Sequence, residues 1–131
     1  MIVLDASALV DVVTDQPTKP WVLERLAASS ICAPSHQMAE VLSALARLVR
    51  AGVLEPSSAR DALSEAKALQ QELIEPTEDH LVRALAMQDR VRVLDGLYVV
   101  LAQDRAAALV STDQRLVRGR LPVEVLAPDP A

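Results

Sequence analysis

The chain opens with Met1-Ile2-Val3-Leu4-Asp5-Ala6-Ser7-Ala8-Leu9-Val10-Asp11-Val12-Val13. Ile2-Val3-Leu4 is a continuous apolar run that stops at an acid, the pattern of a strand buried on both faces of a parallel sheet. Ser7 to Val13 reads as a short helix, so Asp5 marks a strand-to-helix junction. The pattern returns near the other end, where Ala107 to Val110 reads as a strand running into Ser111-Thr112-Asp113. Between these points strands and helices alternate. Trp21 to Ala28 is helical after the turn at Thr14-Asp15-Gln16-Pro17. Ile31-Cys32-Ala33 is a weak strand before Pro34. A helix capped by Ser35 runs to about Arg50, with Gly52 just past its end. Pro56 opens another, with Ser58-x-x-Asp61 as a capping box and an apolar stripe from Ala59 to Leu73. Thr77 begins a third, with Glu78 and Asp79 in its first turn. Val93 to Ala102 is apolar all round except for Asp95; it admits a buried helix or a buried strand, and Gly96 and Val99-Val100 favour strand. Leu121 to Leu126 reads as a closing edge strand. This alternation predicts an α/β fold, three α/β/α layers around a small, mainly parallel central sheet. No linker interrupts the 131 residues, so one domain is expected over 1–131, with 127–131 as a frayed tail.

Composition narrows the function. The net charge is −5, which argues against a protein that coats nucleic acid through overall charge. Residues 83–120 nevertheless carry seven basic and four acidic groups, leaving room for a phosphate-bearing partner there. Aromatic residues are 2%, only Trp21 and Tyr98, which excludes a platform that stacks bases on aromatic rings. Cys32 is alone, so no intrachain disulfide forms, and a reducing compartment is expected. The opening apolar run is broken by Asp5 and Asp11 and has no basic lead, so it is neither a secretory signal nor a membrane span. A cytoplasmic protein without membrane association is expected.

Four acids stand where solvated helix faces do not explain them. Asp5 and Asp113 follow strands, Asp95 interrupts VLDGLYVV, and Glu40 lies beside the apolar stripe of its helix. Carboxylates are seldom buried unless paired or bound to a metal. In a parallel sheet the carboxyl ends of the strands gather on one edge, where ligands bind. Two carboxylates ~4 Å apart repel by about 4 kcal/mol at an effective dielectric near 20, so a cluster of them calls for protons or a cation. Lys19 and Lys67 are not placed to serve, and an all-oxygen set suits Mg²⁺ or Mn²⁺. Such a site commonly does phosphoryl chemistry. The plainer account has these acids capping helices or pairing with Arg92, Arg115 and Arg118. It serves for any one acid better than for all four.

The motifs IVLDASALV, AEVLSALARL, VLDGLYVVLA and ALVSTDQRL, in this order and over essentially the whole chain, resemble the PIN-domain ribonucleases, specifically the VapC-type toxins of bacterial toxin–antitoxin pairs. The resemblance implies Mg²⁺ or Mn²⁺ ligation by catalytic Asp5, Glu40, Asp95 and Asp113, and a helix beginning at Asp95. It implies support of the first Asp by Ser7 and of the last loop by Thr112. Ser43 stands where many members carry Asn. It also implies hydrolysis of RNA with loss of the 3′ oxygen, a VapB-type antitoxin that blocks the cleft, a homodimer and a toxin–antitoxin hetero-oligomer. Gln114 and Arg115 follow the last Asp where some members carry a further acid, so one-metal and two-metal versions both stand. Two other functions fit the same residues: an RNA-processing nuclease without a toxin role, and an acidic-pocket binding module without activity.

Among the other residues, His36 and Glu40 have the i, i+4 spacing of metal ligands, but a capping or surface role suits His36 and likewise His80. Tyr98 reads as packing, and Trp21 as core or as part of a partner groove. Arg47 and Arg50 could reach an RNA backbone. The mean hydropathy of +0.23 points to helix faces covered by another chain.

Overall fold

The computed structural model describes residues 1–130. A three-residue strand can lie at the centre of this molecule because both of its faces are covered. β1 (Ile2–Leu4) is flanked by β2 (Ile31–Pro34) and β4 (Ala108–Val110), with β3 (Glu72–Ile74) and β5 (Val125–Leu126) at the edges. The order is β3-β2-β1-β4-β5 and every pair is parallel. Among the described residues seven helices connect them: α1 (Ala6–Val13), α2 (Lys19–Ala27), α3 (Gln37–Arg50), α4 (Pro56–Ala68), α5 (Glu78–Ala86), α6 (Val93–Arg105) and α7 (Gln114–Arg118).

Side-chain alternation along β1 divides the core into two. Ile2 and Leu4 point to one face and pack with Val10, Val22, Val41 and Leu45 of α1, α2 and α3. Val3 points to the other and joins Cys32, Tyr98, Leu101, Leu109 and Leu116. The three layers expected from the alternation are thus present. The chain leaves β1 toward β2 on one side and returns to β4 on the other, so a crevice opens at the carboxyl ends of β1 and β4. Leu4 is registered with Val110, and the Asp5 N–H donates to the Val110 carbonyl at 3.1 Å. The next residues, Asp5 and Ser111, therefore meet. No helix among the described residues is long and apolar enough to cross a membrane.

Several local expectations are corrected. Val93–Arg105 is helical, as the resemblance implied, though it starts two residues before Asp95; the local pattern leans to strand because a helix buried from Leu97 to Ala102 shows no amphipathic period. Its glycine marks a close crossing: a Cβ at Gly96 would stand 3.3 Å from the Ala84 Cβ of α5. Ser35 does not cap α3. Its N–H continues the sheet by donating to the Ile74 carbonyl at 2.8 Å, and the helix starts at Gln37. The Ser58/Asp61 capping box does not form, since Glu55 holds the N-cap and Pro56 the first helical position. The α4 stripe stops short of Leu73. Leu69 turns extended, and Glu72–Ile74 become edge strand β3. The closing strand is only Val125–Leu126; Leu121 and Val123 pack against the second core.

His80 does cap its helix. Its Nδ1 accepts from the Thr77 N–H while its own N–H donates to Thr77 Oγ1, and its Nε2 reaches Asp104 of α6 at 2.7 Å. Trp21 packs partly buried against the first core, with the Arg25 guanidinium 4.2 Å above its ring. In the segment expected to fray, Pro128 accepts a 3.0 Å bond from Gln114; Ala131 lies outside the described residues.

Candidate active site

Asp5 leaves β1 at the crevice and caps α1, its Oδ1 accepting from the Ala8 N–H at 3.0 Å. The Ser7 hydroxyl donates to the same oxygen and the Ser111 hydroxyl to Oδ2, both at 2.6 Å. Each serine is held in turn by a backbone N–H: Thr112 to Ser7 at 3.2 Å, Asp113 to Ser111 at 3.0 Å. The end of β1 is thereby laced to the loop after β4. All these donors are neutral, and Asp5 is 5% exposed. Burial pushes its carboxyl up to about 6 against the pull of these hydrogen bonds, and the nearby negative charge of Asp95 adds to the rise.

Glu40 projects from α3. The Tyr98 hydroxyl of α6 donates to its Oε1 at 2.7 Å, and His36 Nε2 lies 3.3 Å from the same atom. Burial raises the Glu40 carboxyl, but the bonds from His36 and Tyr98 outweigh it and leave it below the ordinary range. His36 Nε2 also lies 3.1 Å from the Leu94 carbonyl, an acceptor, so this nitrogen carries the proton and the ring straps α3 to the first turn of α6. Its Nδ1 is buried without a partner among the described residues, and its ring centre is 4.9 Å from that of Tyr98.

Asp95 sits in that first turn. Burial raises its carboxyl; Arg92 opposes the rise, and the charges of Glu40 and Asp113 reinforce it. Asp113 ends the β4 loop and caps α7, and Arg115 grips it through Nε and Nη2. Those bonds hold the Asp113 carboxyl below its ordinary range despite partial burial.

The four acids expected from the sequence, Asp5, Glu40, Asp95 and Asp113, thus line one cleft of about 470 Å³, together with Ser7 and Thr112. Thr112 contributes its backbone N–H. Ser43 lies on the outer lip and accepts a 3.2 Å bond from Arg47. Arg92 and Arg115 do pair with acids of the set, as the plainer account supposed; among the described residues Arg118 does not. As placed, no group of three or more His, Cys, Asp or Glu side chains among the described residues stands at metal-holding distance. The donors nonetheless suit a hard divalent cation. They are all carboxylate oxygens, and Asp5 and Asp95 are raised by burial and by neighbouring negative charge, the condition a cation relieves.

Sequence reading missed three participants. Ser111 follows directly from the β1–β4 pairing once that pairing is known, because it is the neighbour of Asp5. Tyr98 is packed, as expected, but its hydroxyl also serves Glu40. His36 is neither a surface group nor a side-chain cap.

The chain matches the PIN domain over residues 2–120. It is 38% identical over 123 residues to Ribonuclease VapC3 of Mycobacterium tuberculosis, covering 89% of this chain and 85% of that protein. Its fold is similar to that of VapC20 of Mycobacterium tuberculosis, a sarcin-ricin loop cleaving toxin, with a TM-score of 0.70, 12% identity, and 92% and 96% of the two chains covered. It is also similar to VapBC2 from Rickettsia felis bound to a DNA fragment from their promoter, with a TM-score of 0.69, 17% identity, and 98% and 100% covered.

Proposed function

Since this chain belongs to the PIN-domain family, and within it to the VapC ribonucleases, we propose that it is an endoribonuclease toxin dependent on Mg²⁺ or Mn²⁺. The observation that carries the reading is the convergence of Asp5, Glu40, Asp95 and Asp113, from four separate elements, on one cleft. These four would hold the ion, Asp95 and Asp113 turning from their arginines to do so. A bound divalent ion would neutralise the phosphodiester and make water a better nucleophile.

The chain's own residues supply the framework. Ser7 and Ser111 fix both oxygens of Asp5. Tyr98 and His36 share Oε1 of Glu40, which leaves Oε2 for the cleft. With both oxygens of Asp5 already hydrogen-bonded, that carboxylate is the anchor of the site, and the rim acids are the adjustable members.

A VapB-type antitoxin is the proposed partner; the VapC ribonuclease relative and the likeness of fold to a toxin and to VapBC2 favour it over a housekeeping processing role. A homodimer is part of the same reading, supported by exposed Leu81, Val82 and Leu85 on α5. The presence of all four acids disfavours an inactive binding module. The test is cleavage of cellular RNA with Mg²⁺ or Mn²⁺, and growth arrest on induction. Asp5→Asn and Asp95→Asn should abolish both; undiminished cleavage in excess chelator would overturn the reading. Mapping the cut sites against the Asp5→Asn control identifies the RNA.

A further inference from the structure

A second cavity, of about 720 Å³, adjoins the acidic cleft between α3 and the start of α6 and shares Glu40, Arg47, Arg92, Asp95 and Arg115 with it. Its size falls among pockets that take small molecules and cofactors, about 300–1,000 Å³. It has the same three arginines as the cleft but fewer acids, lacking Asp5, Asp11 and Asp113. Three arginines border it, and Arg92 and Arg115 are 70% and 56% exposed while the acids they touch are 15% and 20% exposed. Each of these two arginines therefore presents its outer face to a ligand. The first turn of α6 forms part of the wall, and Arg92 at its N-cap makes no side-chain cap bond, so first-turn N–H groups remain for an anion. Ala39 and the exposed Val93 and Leu94 supply an apolar surface.

We propose that this cavity holds the nucleotide next to the scissile phosphate, with Arg47, Arg92 and Arg115 on backbone phosphates and the Ala39–Val93–Leu94 surface against the base. The inference rests on the nuclease reading above. A chain of net charge −5 cannot gather RNA by its overall field, so the attraction must be local, and here cations stand beside the proposed catalytic acids. Trp21 lies on α2 and the Tyr98 ring is buried, so a base meets aliphatic groups, guanidinium planes and the His36 ring.

Arg47 is the clean probe, because its bond goes to Ser43 and not to an acid. A short single-stranded RNA is titrated by fluorescence anisotropy into the Asp5→Asn chain with Mg²⁺ present, over a salt series. Arg47→Ala should weaken binding about tenfold. It should also reduce the slope of log affinity against log salt by about 0.7, the share of one phosphate on a single strand. Arg47→Lys should restore the slope, and Arg60→Ala, an equal charge lost from α4, should change neither quantity. In the active chain Arg47→Ala should raise KM and leave Mn²⁺ affinity, read by calorimetry, unchanged; this arm decides if binding is too weak to titrate. Unchanged slope and KM for Arg47→Ala and Arg92→Ala in a chain that cleaves RNA would overturn the cavity's role and leave the nuclease reading intact. So would an equal loss for Arg60→Ala. Failure of the unmodified chain to cleave RNA with either metal would sink both.

Discussion

Asp5 and Asp113 occupy equivalent places. Each follows a parallel strand at the same sheet edge, and each caps the next helix with its own carboxylate. Their charges are managed in opposite ways. Asp5 is buried among hydroxyls and N–H groups, and its carboxyl is pushed up to about 6. Asp113 is nearer the surface in the grip of Arg115, and its carboxyl is held down. Neutral donors satisfy hydrogen bonds but do not cancel charge, whereas a guanidinium does both. The inner acid therefore has the stronger demand for an external cation, and the outer one already has a substitute for it.

Four experiments would break or sharpen this contrast. The largest effect is on catalysis. Asp5→Asn and Asp113→Asn should each lower RNA cleavage by at least about a hundredfold. Urea unfolding at pH 7.5 without metal should separate them, however. Asp5→Asn should gain up to about 3 kcal/mol by removing a desolvated charge, and Asp113→Asn should lose at most about 1 kcal/mol. A larger loss for Asp5→Asn than for Asp113→Asn would refute the contrast.

The second effect is on pH dependence. With its folded carboxyl near 6 and its ordinary value at 3.8, Asp5 holds a proton in the folded state that the unfolded chain has released. Stability in metal-free buffer should therefore fall as pH rises from about 4 to about 6, and Asp5→Asn should flatten that slope. Thermal melts across the range would read it.

The third effect is on the lacing. Ser111→Ala strands Asp5 Oδ2 and the Asp113 N–H, and should cost about 1–3 kcal/mol. It should also weaken Mn²⁺ binding about 10–100-fold by calorimetry. The smallest effect is Arg115→Gln, which should move stability by under about 0.5 kcal/mol. It should also raise the Asp113 carboxyl toward its ordinary range, visible in carboxyl NMR titration.

What could be read from the residues alone follows from the same physics. Asp5, Asp95 and Asp113 stood out because an acid that ends or interrupts an apolar run has few ordinary uses. The layers were legible because strand and helix patterns alternate. Ser111, Tyr98 and His36 were not legible as participants, since their roles depend on partners brought near by strand order and helix crossing. The edge strand β3 was hidden by a stripe that kept helical spacing through Leu73. Helix α6 was legible from the resemblance and not from its own pattern, because burial on every side erases the period that identifies a helix.

The position of β1 has a consequence for folding. It lies at the middle of the sheet, and the serine that steadies Asp5 from the end of β4 comes 106 positions later. Oδ1 of Asp5 finds Ser7 and Ala8 within three residues, whereas Oδ2 gains its donor only when β4 has paired with β1. The cleft is therefore completed by contacts of high sequence separation, which form late in folding.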